Sequence, residues 1–403
     1  MNGELIVTDR LQGRTPKIGC GTANAGLMLL VVLAFGVATT PSAQAQTFTD
    51  LYDFTGSGGA SPQATLVQDA AGNLYGAARR GGSSNAGVVF ELDTNDTETV
   101  LYTFTGGIDG KFPSSGLVRD AKGNLYGTTR EGGSFAYGTV YKMNPKSVET
   151  VLYNFAGGTD GCFPSGGLVM DAKGNLYGVT PECGASGYGT VFKLSKSGKE
   201  TILHSFAGAP SDGEYPYYTS VLMDTKGSLY GVTWLGGASN NGAVYKLSKR
   251  GTLTLLHSFA GGTADGCFSY GTPAMDKLGN LYGTTQQCGA SNYGIVYKLS
   301  KSGKETQLHN FASGATDGAY PLAGVILDAK GKLYGDTELG GSSSLGAVYE
   351  MNKKGTLTLL HSFSGSDGSH PLGDLLRDTK GNLYGTASEG GSSNVGTLWE
   401  ITP

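Results

Sequence analysis

The chain has 403 residues, a net charge of -4, 15% charged residues and 68 glycines. The charge gives no basic footprint for nucleic acid, which excludes that class of partner. Few charges, abundant glycine and 22 tyrosines argue against a helix-rich protein and for strands joined by tight turns.

Residues 1–45 stand apart from the rest of the chain. Arg10, Arg14 and Lys17 precede an apolar run from Gly26 to Ala38, and Ala43-Gln44-Ala45 comes after it. That order predicts a secretory signal peptide, cleaved before Gln46. The run is short for a bilayer span, so a retained N-terminal anchor is the lesser reading. Cys20 precedes the run and leaves with the signal. No second apolar segment occurs, so the mature chain is expected to be secreted or periplasmic, without a membrane span.

From Gln46 onward one unit recurs. Leu-Tyr-Gly occurs seven times, with tyrosines at Tyr75, Tyr126, Tyr177, Tyr230, Tyr282, Tyr334 and Tyr384, spaced by 51, 51, 53, 52, 52 and 50 residues. A fixed period of this length means one supersecondary unit copied in a ring or an array. The second copy reads as four strands: Thr99 to Phe104, Gly116 to Arg119, Asn124 to Thr129 and Gly138 to Met143. Each run is β-branched or aromatic and bounded by turn residues. Asp-x-x-Gly separates the second and third runs in every copy, led by Asp69, Asp120, Asp171, Asp224, Asp276, Asp328 and Asp378. Aspartate bonds its own turn and glycine supplies positive φ, so these seven acids read as framework. Four antiparallel strands per period predict an all-β fold, a seven-bladed β-propeller of four-stranded antiparallel blades, in a single domain over 46–403.

Strand order predicts how the ring closes. Thr47–Phe54 (TFTDLYDF) is a spare copy of the first strand type, and the last run is Gly396–Ile401. Pairing the two completes the last blade and removes the open ends of the array. The outermost strand then comes first, followed by the innermost, second and third strands of the next blade. The two longer connections of each copy share one rim. The Asp-x-x-Gly turns and short turns such as SKSGK share the other.

Four mature cysteines occupy the same two repeat positions in the third and fifth copies: Cys162 and Cys183, Cys267 and Cys288. Present or absent as pairs in an exported chain, they predict two disulfides, each within one blade. A single four-cysteine metal site would need non-neighbouring blades to converge, which a ring forbids.

The GNLYGTT core, the GTVYKL strand and the LHSF strand resemble the Gloeo/Verruco tandem repeat of exported bacterial proteins, over Phe48 to Thr402. The resemblance implies an extracytoplasmic, propeller-like protein and brings no catalytic residues to carry over. Many such proteins carry a C-terminal sorting segment. This sequence runs to Pro403 without one, so free export is expected.

Histidines His204, His257, His309 and His361 hold one outer-strand position, where earlier copies have Tyr52, Tyr102 and Tyr153. One per blade, they cannot meet on one ion. His370 falls at a loop position otherwise held by Phe112, Phe163, Tyr215, Phe268 and Tyr320, and reads as packing. A site is expected where copies differ, in loops on a rigid frame. The most variable pairs come after Leu-Tyr-Gly: Arg79-Arg80, Arg130-Glu131, Pro181-Glu182, Trp234-Leu235, Gln286-Gln287, Glu338-Leu339 and Ser388-Glu389. The fourth copy adds GEYPYYTS. Tyr215, Tyr217, Tyr218 and Trp234, extended by Tyr270, predict an aromatic platform suited to the apolar faces of sugars. With Arg79, Arg130, Glu131, Gln286 and Glu338 they form the expected ligand-binding set. The expected ligand is a polysaccharide or a cell-surface protein, bound by a monomer without cofactor or metal.

No G-x-S-x-G elbow, H-E-x-x-H helix or phosphate loop is present, so no catalytic residue is assigned. One alternative is a polysaccharide hydrolase or lyase whose carboxylates, among Glu131, Glu182 and Glu338, meet over the channel. Another is a structural envelope protein with no defined ligand.

Overall fold

The computed structural model describes residues 46–113 and 115–403. The expected signal segment and its cleavage lie outside the described residues. The chain forms seven four-stranded antiparallel blades in a ring. In the second blade Val118–Arg119 is innermost, with Leu125–Thr129, Thr139–Met143 and Glu149–Asn154 successively outward. The innermost strand is shorter than its sequence pattern, because the chain there bends over the axis before pairing. Near the loop rim it pairs with the second strand again, as Ala60–Pro62 does in the first blade and Gly213–Glu214 in the fourth.

Ring closure uses the expected clasp. Thr47–Asp53 pairs antiparallel with Thr397–Thr402, from Thr47 opposite Thr402 to Asp53 opposite Thr397. Phe54 lies just past the strand end, its N–H donating to Gly396 O at 3.0 Å.

The core lies between blades. Each outer strand ends in a phenylalanine: Phe54, Phe104, Phe155, Phe206, Phe259, Phe311 and Phe363, all fully buried. Phe104 leaves the first blade and packs with Leu117, Leu125 and Tyr141 of the second, its ring 5.1 Å from that of Tyr141. Burying one such side chain contributes about 2–3 kcal/mol. The glycine of Leu-Tyr-Gly makes room for this packing, since a Cβ on Gly127 would sit 2.6 Å from Tyr141 Oη.

The Asp-x-x-Gly turns are closed from within. Asp120 Oδ1 accepts from the N–H groups of Lys122 and Asn124, and Oδ2 accepts from Asn124 Nδ2 and the Tyr126 hydroxyl. Burial pushes the Asp120 carboxyl up, but bonds from Asn124 and Tyr126 outweigh it and hold the group below the usual range. In the first five copies the repeated tyrosine thus finds its partner in its own turn.

A second device joins the blades at the loop rim. Ser61, Phe112, Phe163, Tyr215, Phe268, Tyr320 and His370 hold one repeat position, and all have φ between 50° and 62°. Six of them precede a proline. Left-handed backbone is costly for such residues. Each offsets part of the cost by donating its N–H to a carbonyl of the preceding blade: Phe112 to Ala86 O, His370 to Leu345 O and, across the closure, Ser61 to Val395 O, at 2.8–2.9 Å.

Both expected disulfides form. Cys162 bonds Cys183 and Cys267 bonds Cys288, with Cα–Cα distances of 5.5 and 5.4 Å. Each joins the two longer loops of one blade. Cys183 and Cys288 keep the positive φ (63° and 66°) that glycine has at this position in other blades. There a Cβ on Gly132 would sit 2.7 Å from Gly110 Cα, so the loops already touch and two sulfurs can bridge them. Closing a loop of this length stabilises by about 3 kcal/mol.

Candidate functional site

On the loop rim, the segment after each left-handed residue turns into the axis. These segments line a cavity of about 270 Å³ to which all seven blades contribute. Gln63, Ser115, Ser165 and Ser220 supply polar groups from the first four blades, Tyr218 and Tyr270 supply rings, and Gln286, Glu338 and Asp374 complete the wall. Leu322 and Leu372 make its apolar side.

Tyr218, Tyr270, Gln286 and Glu338 of the expected set therefore line one cavity. The other aromatics stand behind them. Trp234 lies 6.0 Å from Tyr217, 6.3 Å from Tyr270 and 5.9 Å from Phe268, centroid to centroid. Tyr215 stacks on Tyr217 at 6.0 Å, and Tyr218 is 6.5 Å from Tyr270. Tyr218 is the exposed member, at 42%. The cluster joins the fourth and fifth blades. It is steadied by a polar link from the third, where Tyr217 donates to Glu182 Oε1 at 2.7 Å. Arg130 of the second blade donates to the Tyr218 hydroxyl at 3.3 Å and lies 4.0 Å from Glu182. Burial first, and Glu182 second, push the Tyr217 hydroxyl far above its ordinary range. Burial also lifts Tyr270 to about 12, with Tyr218 adding to it.

Arg79 and Glu131 lie elsewhere. Arg79 sits 5.4 Å over the Phe112 ring, which Arg80 and Lys111 also cover. Glu131 pairs with Lys111 at 3.6 Å. The carboxylates considered for an enzyme also separate: Glu131 faces Lys111, Glu182 faces Tyr217, and Glu338 lines the axial cavity. Burial raises Glu338, against the opposing pull of His370. Asp374 was not among the expected residues, and burial raises its carboxyl as well.

The repeated histidines are pillars. His204, His257, His309 and His361 place Nε2 2.9–3.1 Å from Asp212, Asp265, Asp317 and Asp367 of the next loop. Tyr102 and Tyr153 make the same bond to Asp109 and Asp160. Among the described residues no group of three or more His, Cys, Asp or Glu side chains is placed to hold a metal. On the turn rim a cleft of about 850 Å³ lies between the fifth and sixth blades. Similar furrows lie between the seventh and first blades and between the first and second, which marks them as framework.

An all-β ring of seven blades with a cavity on its axis defines a β-propeller scaffold with a loop-face site. The chain belongs to the Gloeobacter/Verrucomicrobia repeat family, whose profile matches residues 34–180, 118–276 and 217–403. No curated protein sequence matches it. Its fold is similar to that of virginiamycin B lyase from Staphylococcus aureus, at 12% identity and a TM-score of 0.58, over 89% of this chain and 99% of that one. It is also similar to the extracellular domain of a proposed one component system from B. thetaiotaomicron, at 13% identity and a TM-score of 0.56, over 88% of this chain and 40% of that one. The extracellular domain of a proposed hybrid two component system from the same organism gives 11% identity and a TM-score of 0.54, over 89% and 41%. At these identities the likeness is one of fold.

Proposed function

We propose that this is an extracytoplasmic binding protein that takes a polysaccharide at the axial cavity of its loop face. The observation that carries the reading is the wall formed by Tyr218 and Tyr270, backed by Trp234, in one cavity with the amides of Gln63 and Gln286 and the hydroxyls of Ser115 and Ser165. Flat apolar rings facing a circle of hydrogen-bonding groups suit a sugar, which has apolar faces and polar edges. A neutral glycan fits better than a polyanion. From Gln46 onward, only Arg79, Arg80, Lys111 and Arg130 among the Lys and Arg residues lie in the loop-face connections. The two disulfides suit an oxidising compartment. A glycan array with the mature protein tests the reading. Binding is expected to fall at least about tenfold in Tyr218→Ala and Tyr270→Ala, the loss of an aromatic anchor that the ligand covers. It is expected to be unchanged in Arg79→Ala. Binding that survives both tyrosine changes sinks the assignment.

A second reading rests on Glu338 and Asp374. Two carboxyls raised by burial in one cavity are the raw material of acid–base chemistry on a polymer. Release of reducing or unsaturated ends from a bound glycan, abolished in Glu338→Gln, would favour an enzyme.

A further inference from the structure

The residue after Leu-Tyr-Gly is Ala77, Thr128, Val179, Val232, Thr284, Asp336 or Thr386. It faces the innermost strand of the next blade. Thr284 Oγ1 donates to Ala323 O at 2.7 Å, and Thr128 Oγ1 lies 3.5 Å from Gly166 O. Ala323 and Gly166 each stand two residues after the proline of their blade, and the counterpart beside Asp336 is Gly373, next to Asp374. Asp336 thus brings a carboxyl to a place where the repeat uses a hydroxyl donor against a carbonyl.

Among the described residues no hydrogen bond answers that carboxyl. Asp336 is 1% exposed, and neither of its oxygens has a hydrogen-bond partner. The charge that acts on it is a second carboxylate, Asp374. Asp374 Oδ1 accepts from Gly324 N–H at 2.7 Å, and Asp374 also lines the axial cavity. Two buried carboxyls therefore act on one another, and one of them, Asp374, stands at the wall of the axial cavity. An unpaired buried carboxylate is strongly disfavoured. A pair of carboxyls, one of them without any donor, is what a hard cation takes, with backbone carbonyls and water as further ligands.

We propose that Asp336 and Asp374 together hold a hard divalent cation of the Ca²⁺ class at the inner wall of the axial cavity, between the sixth and seventh blades. The site is independent of what the cavity binds. It departs from the metal-free protein that the repeat pattern predicts, because it occurs in one copy only.

Terbium luminescence on the mature protein, stripped with EDTA, tests this. Tyr349 is fully buried, and the Asp336 charge acts on its hydroxyl, so it serves as the antenna. Excitation of tyrosine is expected to produce Tb³⁺ emission that Ca²⁺ displaces. Ca²⁺ is expected to raise Tm, and EDTA to reverse the rise. Asp336→Thr installs the residue that the second, fifth and seventh blades carry, so it should fold, and it should lose both responses. Asp374→Asn should weaken Tb³⁺ binding at least tenfold. No emission and no Ca²⁺ shift in the parent protein overturns the proposal, as does a response that Asp336→Thr retains. If Ca²⁺ does nothing and Tm instead falls with rising pH in a manner that Asp336→Thr abolishes, the two carboxyls share a proton and the cation site is refuted.

Discussion

Asp120 uses both carboxylate oxygens inside its own turn, and so does its counterpart Asp171. Asp120→Ala leaves two backbone N–H groups and the Tyr126 hydroxyl without that acceptor. A loss of about 1–2 kcal/mol is expected, read by calorimetry as a Tm lower by a few degrees. Sugar binding should not change, because the turn lies on the opposite rim. This role was legible in the sequence, since one acid per copy in one turn motif has a local explanation. The pairing of His204 with Asp212 was legible only by half. The histidine repeats visibly, but its partner lies eight residues on, in a loop whose length varies between copies. Asp336 was not legible as a site. It shows as one departure at a position otherwise held by Ala, Thr or Val, and its meaning depends on Asp374, which only the bend of the seventh inner segment brings to it.

Between blades the outer strands set carboxyls against one another. Glu149 begins the outer strand of the second blade and feels the charge of Asp109 in the loop before that blade. Glu200 feels that of Asp160 in the same way. Burial, with these neighbours adding to it, pushes Glu149 and Glu200 up to about 7. The folded state thus holds protons that the unfolded chain, titrating near 4.5, releases. Their contribution to stability is present in full below the unfolded value and is lost as pH rises through about 7. The turn carboxyls act in the opposite sense. Asp120 and Asp171 are held below 3.8, so their contribution is lost only as pH falls beneath that range. Stability is therefore expected to be greatest in mild acid and to decline toward about pH 8. The decline should amount to about 2–4 °C in Tm, small because these junctions are half open to solvent. Glu149→Gln combined with Glu200→Gln should flatten it and raise Tm at about pH 8. A thermal-melt series from about pH 5 to 8.5 reads both. A parent protein whose Tm rises over that range contradicts the argument. The junction pairs escaped the sequence reading because Glu149 and Asp109 belong to consecutive copies and meet only across a blade boundary.

At the scale of the molecule, the ring was readable from strand order alone, because a spare first strand and an unpaired last one have one economical solution. The axial cavity was readable only in part. Tyr218, Tyr270, Gln286 and Glu338 stand out as departures from the repeat, whereas Gln63, Ser115 and Ser165 look ordinary until seven inner segments converge. The closure itself predicts a dissection. Thr47–Asp53 is the outer strand of the last blade, yet it is covalently continuous only with the first. Phe48 stacks on His361 with ring centroids 3.6 Å apart, and Phe54 is fully buried against Phe90. Phe54→Ala should cost about 3–5 kcal/mol, the usual loss for a buried phenylalanine. Removing residues 46–54 should cost more, because it also exposes the edge of Thr397–Thr402 and opens the ring to pairing with other chains. The truncated protein is expected to melt at least about 10 °C lower and to associate. A synthetic peptide spanning residues 46–55 should reverse the association by adding its strand to that edge, as donor strands do in other sheets. The same peptide with Phe48 and Phe54 changed to alanine should not. Light scattering and thermal melts with and without peptide decide the matter. A truncated chain as stable as the parent would show that blade-to-blade packing, together with the Ser61–Val395 bond, closes the ring without the clasp.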